Sequence, residues 1–176
     1  SSPVSRVPDL DGQLLTDPGS VAAVARDVGN IVHETPVAVL RPGSVRDIAK
    51  MVKFCRRLGI KVAARGQGHT NFGQSQVGGG LVVEMGSLSR IHAIDAHSAT
   101  VDAGLTWNNL LAATSAQGLT PPVFTGYTAL SIGGTLSVGG IPATYRKGVQ
   151  VEHVSELEFV TGEGETFKAR TIKQHA

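Results

Sequence analysis

The sequence predicts an α+β fold with small mixed sheets and flanking helices, and three features lead to this prediction. A strand, a helix and a second strand follow one another within residues 37–64. Further apolar runs of strand length come after them. Near the end of the chain, an alternating segment followed by a glycine turn is typical of a hairpin. With 176 residues, the chain is long enough to bury one sizeable core.

The first third of the chain contains the clearest helical patterns. Residues 17–30 carry apolar side chains at helical spacing and predict a short helix. Residues 37–40 form a brief apolar strand. Residues 44–58 predict a longer helix with Ser44 as its N-cap. Cys55 falls on the apolar face of that helix, so we expect a core residue there and not a nucleophile.

The helix predicted at residues 44–58 has two distinct faces. Its apolar face is predicted to contain Val45, Ile48, Ala49, Val52 and Cys55. Its other face is basic and contains Arg46, Lys50, Lys53 and Arg57. We interpret the basic face as a solvated surface, because this is the common role of such a pattern. Ser44 and Asp47 have nearly the spacing of a capping box.

The remaining elements are short. Apolar runs predict strands at residues 60–64, 81–85, 91–95 and 100–103. A helix is predicted at residues 106–117, with Thr106 as its cap. Strands at residues 154–160 and 165–169 complete the hairpin. Between the helix at residues 106–117 and this hairpin, residues 121–148 are rich in glycine, serine and threonine, and a loop of this length inside a domain is usually functional.

Composition excludes several classes of protein. Hydrophobic residues make up 41% and charged residues 17%, which excludes a disordered tail, and no apolar run is long enough to cross a membrane. Sixteen basic and 14 acidic residues are too balanced for a protein that binds nucleic acid. No metal site is predicted, because Cys55 is the single cysteine and His92 and His97 would lie on opposite faces of a strand. The location stays open between the cytoplasm and export after signal removal.

The segment with the clearest chemical meaning is Arg-Gly-Gln-Gly-His-Thr at residues 65–70, directly after a predicted strand. Glycines allow several successive backbone N–H groups to point into one concavity, called a nest, which binds phosphate oxygens. The spacing of Gly66, Gly68 and Gly73 does not match the dinucleotide fingerprint, and no Gly-Lys-Ser/Thr follows as in a P-loop. A histidine between such glycines is, by itself, more often structural than functional.

Two blocks of sequence resemble the flavoprotein family typified by vanillyl-alcohol oxidase, and most closely its cytokinin dehydrogenase branch. The first block is residues 63–85, where the branch has a Gly-x-Gly-His-Ser/Thr loop that holds the FAD diphosphate. The histidine of that loop bonds to the 8α-methyl carbon of the flavin. The second block is residues 125–149, which is similar to the family's Gly-Gly-Thr-Leu-Ser segment. With landmarks at residues 42–48 and 156–162, the resemblance covers about residues 17–169.

This resemblance implies an FAD-binding domain in two lobes, about residues 1–80 and about residues 81–176, with FAD held between them. It implies a single covalent bond between FAD and His69, because residues 128–131 lack the cysteine that some relatives use as a second attachment point. The cofactor contacts implied by the resemblance are Gly66, Gln67, Gly68, His69, Thr70, Gln74, Ser131, Gly133, Gly134, Ser137 and Ile141.

The resemblance also implies an activity, namely the oxidation of a small-molecule alcohol or amine by hydride transfer to FAD. Gly126 stands where cytokinin dehydrogenases have an aspartate that accepts a hydrogen bond from the substrate amine, which argues against cytokinin as the substrate. No catalytic residue is assigned. The substrate domain of the family lies in a further C-terminal region that we expect in the full-length protein, so this chain alone is expected to be inactive.

Two alternatives to an enzyme of this family stay open at this point. The chain could be a non-catalytic or truncated FAD-fold module, or, with less support, a nicotinamide-binding protein, which the glycine spacing disfavours. Three aromatic residues near the motifs receive no functional role. Trp107 is interpreted as a packing residue, while Tyr127 and Tyr145 could each line a pocket or hold their own loop.

Overall fold

The computed structural model describes residues 6–142 and 145–171, and of Tyr145 only the backbone. Its main sheet has four strands in the order β1-β2-β4-β3. Strands β2, β4 and β3 are parallel, and β1 is antiparallel to β2. The strands are β1 Gln13–Leu15, β2 Ala38–Arg41, β3 Val62–Arg65 and β4 Leu81–Glu84. Strand β3 is therefore an edge strand, and the glycine-rich loop leaves the sheet from its carboxyl end.

Two antiparallel hairpins and four helices complete the described fold. The hairpins are β5 Ile91–Ile94 with β6 Ala99–Val101, and β7 Glu156–Val160 with β8 Thr166–Arg170. The helices are α1 Pro18–Ala23, α2 Val45–Arg57, α3 Trp107–Ser115 and α4 Ile132–Leu136. Short 3₁₀ turns lie at Met85–Ser87, Tyr145–Lys147 and Gln150–His153. The α+β class predicted from the sequence is confirmed, and strand β1 and helix α4 add to the predicted elements.

Both faces of the main sheet are covered, as parallel strands require. Leu40 and Val83 point to one face, where they pack against α2. Val39 and Val82 point to the other face and pack against Val24. A separate apolar cluster joins α3 to α4 and contains Leu105, Trp107, Leu110 and Ile132. The described residues thus form two packed regions, one before and one after residue 90.

Helix α1 ends earlier than the apolar spacing of residues 17–30 predicts. Asp17 caps its start by accepting a hydrogen bond from the Ser20 N–H at 2.9 Å. After Ala23 the chain leaves the helix, and the N–H groups of Val28 and Gly29 bond to carbonyls of the glycine-rich loop instead. The predicted length was wrong because these two donors satisfy a distant partner, which local periodicity does not reveal.

Helix α2 begins and ends where the sequence predicts, but its buried face is rotated. Ser44 accepts a hydrogen bond from the Asp47 N–H at 3.3 Å, as an N-cap does. The buried side chains of the helix are Asp47, Met51, Phe54 and Cys55. Cys55 is confirmed as a core residue, and burial raises the pKa of its thiol. The remaining predicted core positions of the helix are only half-buried.

Asp47 explains this rotation, because its carboxylate is fully buried and binds three backbone N–H groups. The donors are Asp11 at 2.9 Å, Gly12 at 2.8 Å and Gly43 at 2.9 Å. Burial acts to raise the pKa of Asp47, but these backbone hydrogen bonds outweigh it and hold the pKa below its usual value. The carboxylate therefore joins the segment before β1 to the start of α2, which corrects the expectation of a simple capping box with Ser44.

The basic face of α2 is also more than a solvated surface. Lys53 forms an ion pair with Glu165 at 2.9 Å, and Arg56 pairs with Glu163 at 3.6 Å. Both glutamates lie at the turn of the β7–β8 hairpin, where Gly164 packs closely against α2. Each exposed pair contributes little to stability, and of these two cations only Lys53 belongs to the predicted basic face, which therefore contacts the hairpin through one of its members. The interpretation as a purely solvated face is therefore corrected.

We expect Asp47→Asn to lower the free energy of unfolding by about 1–3 kcal/mol, because an amide nitrogen would then face buried N–H donors. Urea unfolding at pH 7 measures this, with Asp9→Asn at an exposed carboxylate as the control. Since the pKa of Asp47 is lower in the folded state, its stabilisation is present at neutral pH and is lost as the pH falls below about 4. Wild-type stability in Asp47→Asn would contradict this account.

Candidate functional site

The loop at residues 66–70 presents a row of free backbone donors. The N–H groups of residues 67–70 donate no hydrogen bond within the described ranges 6–142 and 145–171. Gly68 has a φ of 65°, a left-handed conformation that favours glycine. A Cβ atom at Gly68 would also overlap the guanidinium group of Arg65. The loop therefore has the free donors and the glycine conformation expected of a nest for an anionic group.

The carbonyl side of the same loop is held by the segment that follows α1. Val28 donates to the Gly68 carbonyl at 2.9 Å, and Gly29 donates to the Thr70 carbonyl at 3.1 Å. A side chain at Gly29 would overlap the backbone of Asn71. Because the carbonyls are bonded to residues 28–29, the loop conformation is fixed while its N–H groups stay available.

Asp27 fixes the end of the loop through hydrogen bonds to its carboxylate. Its carboxylate accepts hydrogen bonds from the Thr70 hydroxyl at 2.7 Å, the Gly73 N–H at 2.8 Å and the Asn30 N–H at 3.2 Å. The bond from Thr70 is the main cause that lowers the pKa of Asp27. The Thr70 hydroxyl also lies 3.0 Å from the Ser75 hydroxyl. The Thr70 hydroxyl thus bonds to other protein groups, whereas its backbone N–H is one of the loop donors without a partner among the described residues.

Arg65 places a positive charge under the loop. Its guanidinium donates to the Ser75 hydroxyl at 3.2 Å and lies against Gly68. Desolvation by burial lowers the pKa of Arg65, although an arginine stays charged at any physiological pH. No carboxylate within the described residues forms an ion pair with it. Sequence reasoning did not single out this residue, because its role depends on how it folds back under the loop.

The second glycine-rich block meets the loop at Gly66. A Cβ atom at Gly66 would overlap the hydroxyl of Ser131, and it would lie 4.0 Å from the Cα atom of Gly134. Ser131 occupies the N-cap position of α4 without a side-chain capping hydrogen bond, and it is 3% exposed. The start of α4 is held by Ile132, whose N–H donates to the Leu105 carbonyl at 2.8 Å. The fold thus brings together two segments that the sequence separates by about sixty residues.

Other predicted contact residues have different surroundings. The N–H of Gly133 donates to the Ala103 carbonyl at 2.8 Å, and a side chain at Gly133 would press against Ala103. The glycine at position 133 therefore allows a close contact with Ala103. Ser137 donates its hydroxyl to the Gly133 carbonyl at 2.7 Å. Ile141 is 83% exposed, so its side chain is open to a ligand.

Two glutamine side chains of the first block are exposed. Gln67 lies within the loop itself. The side-chain oxygen of Gln74 accepts a hydrogen bond from the Phe72 N–H at 3.0 Å and so bonds within its own turn. The amide nitrogen of Gln74 has no partner among the hydrogen bonds of the described residues.

His69 projects from the loop with an exposed imidazole and stacks on Tyr127. The ring centroids are 5.1 Å apart, and the ring planes are inclined by 30°. Tyr127 is the functional candidate that sequence reasoning left without a role, because no local pattern links it to the distant loop. Tyr145 lies outside the described side chains. Trp107 is confirmed as a packing residue, since it is 6% exposed and donates to the Thr135 hydroxyl at 2.9 Å.

Two further properties of the described residues bear on the site. Residues 6–142 and 145–171 contain no group of three or more metal-ligating side chains close enough to share an ion. None of the helices in these ranges has the length and apolarity needed to traverse a membrane.

The sequence of this chain is similar to a protein family and to several known proteins. The profile of the family described as FAD binding domain matches residues 36–170. An uncharacterised oxidoreductase of the fasciation locus of Rhodococcoides fascians is 36% identical over 89% of this chain and 36% of its own length. Cytokinin dehydrogenase 4 of Arabidopsis thaliana is 40% identical over 89% of the chain and 34% of its own length. Cytokinin dehydrogenase 9 of Oryza sativa is 44% identical over 82% of the chain and 30% of its own length.

We expect Gly66→Ala to weaken FAD binding, because the new methyl group would separate the loop from Ser131. Gly86→Ala is the matched control, since a Cβ atom there meets no neighbour within 4 Å. Quenching of flavin fluorescence measures the affinity. Adding Ser131→Ala to Gly66→Ala removes the clashing hydroxyl and should restore part of the binding. Equal affinities for wild type and Gly66→Ala would show that the two blocks do not form one site.

Proposed function

Because this chain belongs to the FAD-binding domain family, whose profile matches residues 36–170, we propose that it is the cofactor-binding part of an oxidoreductase that oxidises a small molecule. The chain spans about a third of the length of the curated relatives it matches. The activity proposed here therefore belongs to a full-length protein in which this chain binds the flavin. FAD supplies the redox chemistry by accepting a hydride from a substrate carbon that bears an oxygen or nitrogen.

The observation that carries this proposal is the row of free N–H groups at residues 67–70 above the Arg65 guanidinium. A diphosphate needs several donors and positive charge, and this loop offers both. FAD would lie between two lobes, with the loop in the first and α4 in the second. Because β4, Leu81–Glu84, is paired between β2 and β3, the boundary between the lobes lies after residue 84 and not at residue 80. At both Gly66 and Gly134 a Cβ atom would overlap the Ser131 hydroxyl, so these two segments approach each other closely.

His69 is proposed as the covalent attachment point of FAD. Its imidazole is exposed and belongs to the same loop as the free N–H groups, so it would be accessible to a flavin whose diphosphate occupies the nest. Formation of the bond removes one hydrogen from the 8α-methyl carbon and one from an imidazole nitrogen. Dioxygen accepts both hydrogens with two electrons and leaves as hydrogen peroxide. A covalent bond of this kind withdraws electron density from the flavin ring and raises its oxidising power.

The substrate is proposed to be an alcohol, or an amine that is recognised without a carboxylate at position 126. Gly126 is exposed, and a Cβ atom there would meet no neighbour within 4 Å. The position therefore has room for an aspartate side chain, whereas the glycine present there has no side-chain hydrogen-bond acceptor. A substrate amine that depends on such an acceptor would lose its orienting contact, since proton transfer requires a base within hydrogen-bond reach.

A substrate domain is proposed to cover the β7–β8 hairpin. One face of this hairpin carries Leu157, Phe159 and Phe167, which are 47%, 41% and 53% exposed. The rings of Phe159 and Phe167 stack across the strands with centroids 6.0 Å apart. A contiguous exposed apolar face of this kind is typical of an interface. Its position beside α2 would bring such a domain close to the lobe that carries the loop.

The test of the proposed function is the visible spectrum of the full-length protein encoded by the gene. We expect a yellow protein whose flavin absorbance stays with the pellet after acid precipitation, because the flavin is covalently bound. His69→Ala is expected to bind FAD but to release it into the acid supernatant. His97→Ala, at an exposed histidine of the β5–β6 turn, is the matched control and should retain the flavin.

Three other results would contradict the proposed function in distinct ways. Free flavin in the supernatant of the wild type would refute the covalent bond but not FAD binding. A colourless protein that takes up no FAD would favour a non-catalytic module. Tight binding of NAD without any response to FAD would favour a nicotinamide protein.

We expect Gly126→Asp to increase kcat/KM for secondary amines, because it adds the missing acceptor in open space. Acid–base groups contribute about 10²–10⁴-fold, so a gain of at least tenfold over the wild type is a reasonable threshold. Steady-state oxidation of a panel of alcohols and secondary amines by the full-length protein measures this change in kcat/KM. Gly126→Asn is the control that fills the same space without a carboxylate. Equal amine oxidation by wild type and Gly126→Asp would refute the role of this position.

A further inference from the structure

We propose that Tyr127 is a positioning residue that orients the His69 imidazole for its bond to the flavin. This inference rests on the proposed function, because it concerns the covalent attachment of FAD. Its starting point is the stack of the two rings, with centroids 5.1 Å apart and planes inclined by 30°. The two residues are far apart in the sequence, so the fold as a whole creates this contact.

The backbone around His69 is fixed, but its ring is not held by hydrogen bonds. The neighbouring carbonyls of Gly68 and Thr70 accept bonds from residues 28–29 at 2.9 Å and 3.1 Å. The imidazole itself has no hydrogen-bond partner in the part of the chain that the structure describes. Two side-chain torsions would therefore leave it several orientations of similar energy. Among the described contacts of the ring, the stack on Tyr127 is the one that selects an orientation.

The backbone of Tyr127 is fixed by hydrogen bonds, so the point from which its ring projects is held in place. Its backbone carbonyl accepts hydrogen bonds from the Thr125 hydroxyl at 2.7 Å and from the Leu130 N–H at 3.4 Å. The next residue, Thr128, accepts a bond from the Asn108 N–H at 2.7 Å, and its hydroxyl bonds to the Asn108 side chain. These contacts connect the tyrosine loop to the first turn of α3. The phenol ring is nevertheless 57% exposed, so burial in a core does not account for its position.

The stacked arrangement suits bond formation at the imidazole edge. The stack places Tyr127 against one face of the ring, and the imidazole nitrogens form no hydrogen bond among the described residues. A new bond to carbon forms in the ring plane at one of these nitrogens, so reaction depends on where that edge points. The energies of aromatic pairs correspond to about a two- to tenfold change in the population of one arrangement. Loss of the tyrosine ring should slow covalent attachment by a similar factor.

The experiment uses the full-length protein prepared without flavin and then mixed with FAD in air. The rate of covalent attachment is read from the flavin fluorescence of acid-precipitated protein at successive times. Tyr127→Leu is expected to react about two- to tenfold more slowly than the wild type. Tyr127→Phe keeps the ring and should react at the wild-type rate. Non-covalent FAD affinity and the thermal midpoint should be equal in all three proteins, because the diphosphate loop is not altered.

A second measurement tests the stack without any flavin. In the flavin-free protein, NMR resonances of the His69 ring protons should be shifted upfield by the tyrosine ring in the wild type and in Tyr127→Phe. Tyr127→Leu should abolish this shift.

Several outcomes would overturn the inference. These are equal attachment rates in the three proteins, unshifted His69 resonances in the wild type, and a loss of FAD affinity or stability in Tyr127→Leu that accounts for its slower reaction. Equal rates leave the covalent bond itself intact, whereas a wild type that never retains flavin refutes the proposed attachment and the orienting role together.

Discussion

The hydrogen bonds between residues 27–29 and the glycine-rich loop are the constraint on which the candidate site depends. They bond the carbonyls of Gly68 and Thr70 and the Thr70 hydroxyl, and they fix the loop in a conformation whose successive N–H groups are free. A flexible glycine segment without these partners would have to be ordered by its ligand, at an entropic cost of about 1–2 kcal/mol per residue. Here the chain has already ordered the loop before any anion arrives. The shortened helix α1 is a direct consequence, because residues 28–29 bond to the loop and not within the helix.

The rest of the fold brings the segment around α4 to this loop. Strand β3 lies at the sheet edge, so its carboxyl end is open to the segment around α4. Ser131 fills the space at Gly66 that a side chain would need, and Tyr127 reaches the imidazole of His69. Asp47 acts at a distance from the site, since it fixes the start of α2 and with it the neighbouring strands. Polar groups with backbone partners thus determine the geometry as much as the apolar clusters do.

Sequence reasoning succeeded where the determining interactions are local. The Ser44 cap, the buried Cys55 and the β7–β8 hairpin follow from neighbouring residues, and the glycine loop follows from its position after a strand. It failed where a residue bonds across the fold. The end of α1, the burial of Asp47 and the stack of Tyr127 all depend on partners far away in the sequence. Arg65 contacts Ser75 and Gly68, which are near it in the sequence, but no local pattern shows that its side chain folds back against the loop. Helix α4 was missed because glycine and threonine obscure the helical pattern in a segment held by Leu105.

The most direct test of the central claim is residue-resolved amide hydrogen exchange in the loop, with ADP and with riboflavin as separate ligands. ADP carries the diphosphate without the flavin ring, and riboflavin carries the ring without the diphosphate. The account predicts that the amides of residues 67–70 exchange rapidly in the free protein and slow down with ADP but not with riboflavin. Exchange that is already slow in the free protein, or that ADP leaves unchanged, would contradict the claim that these donors bind phosphoryl groups.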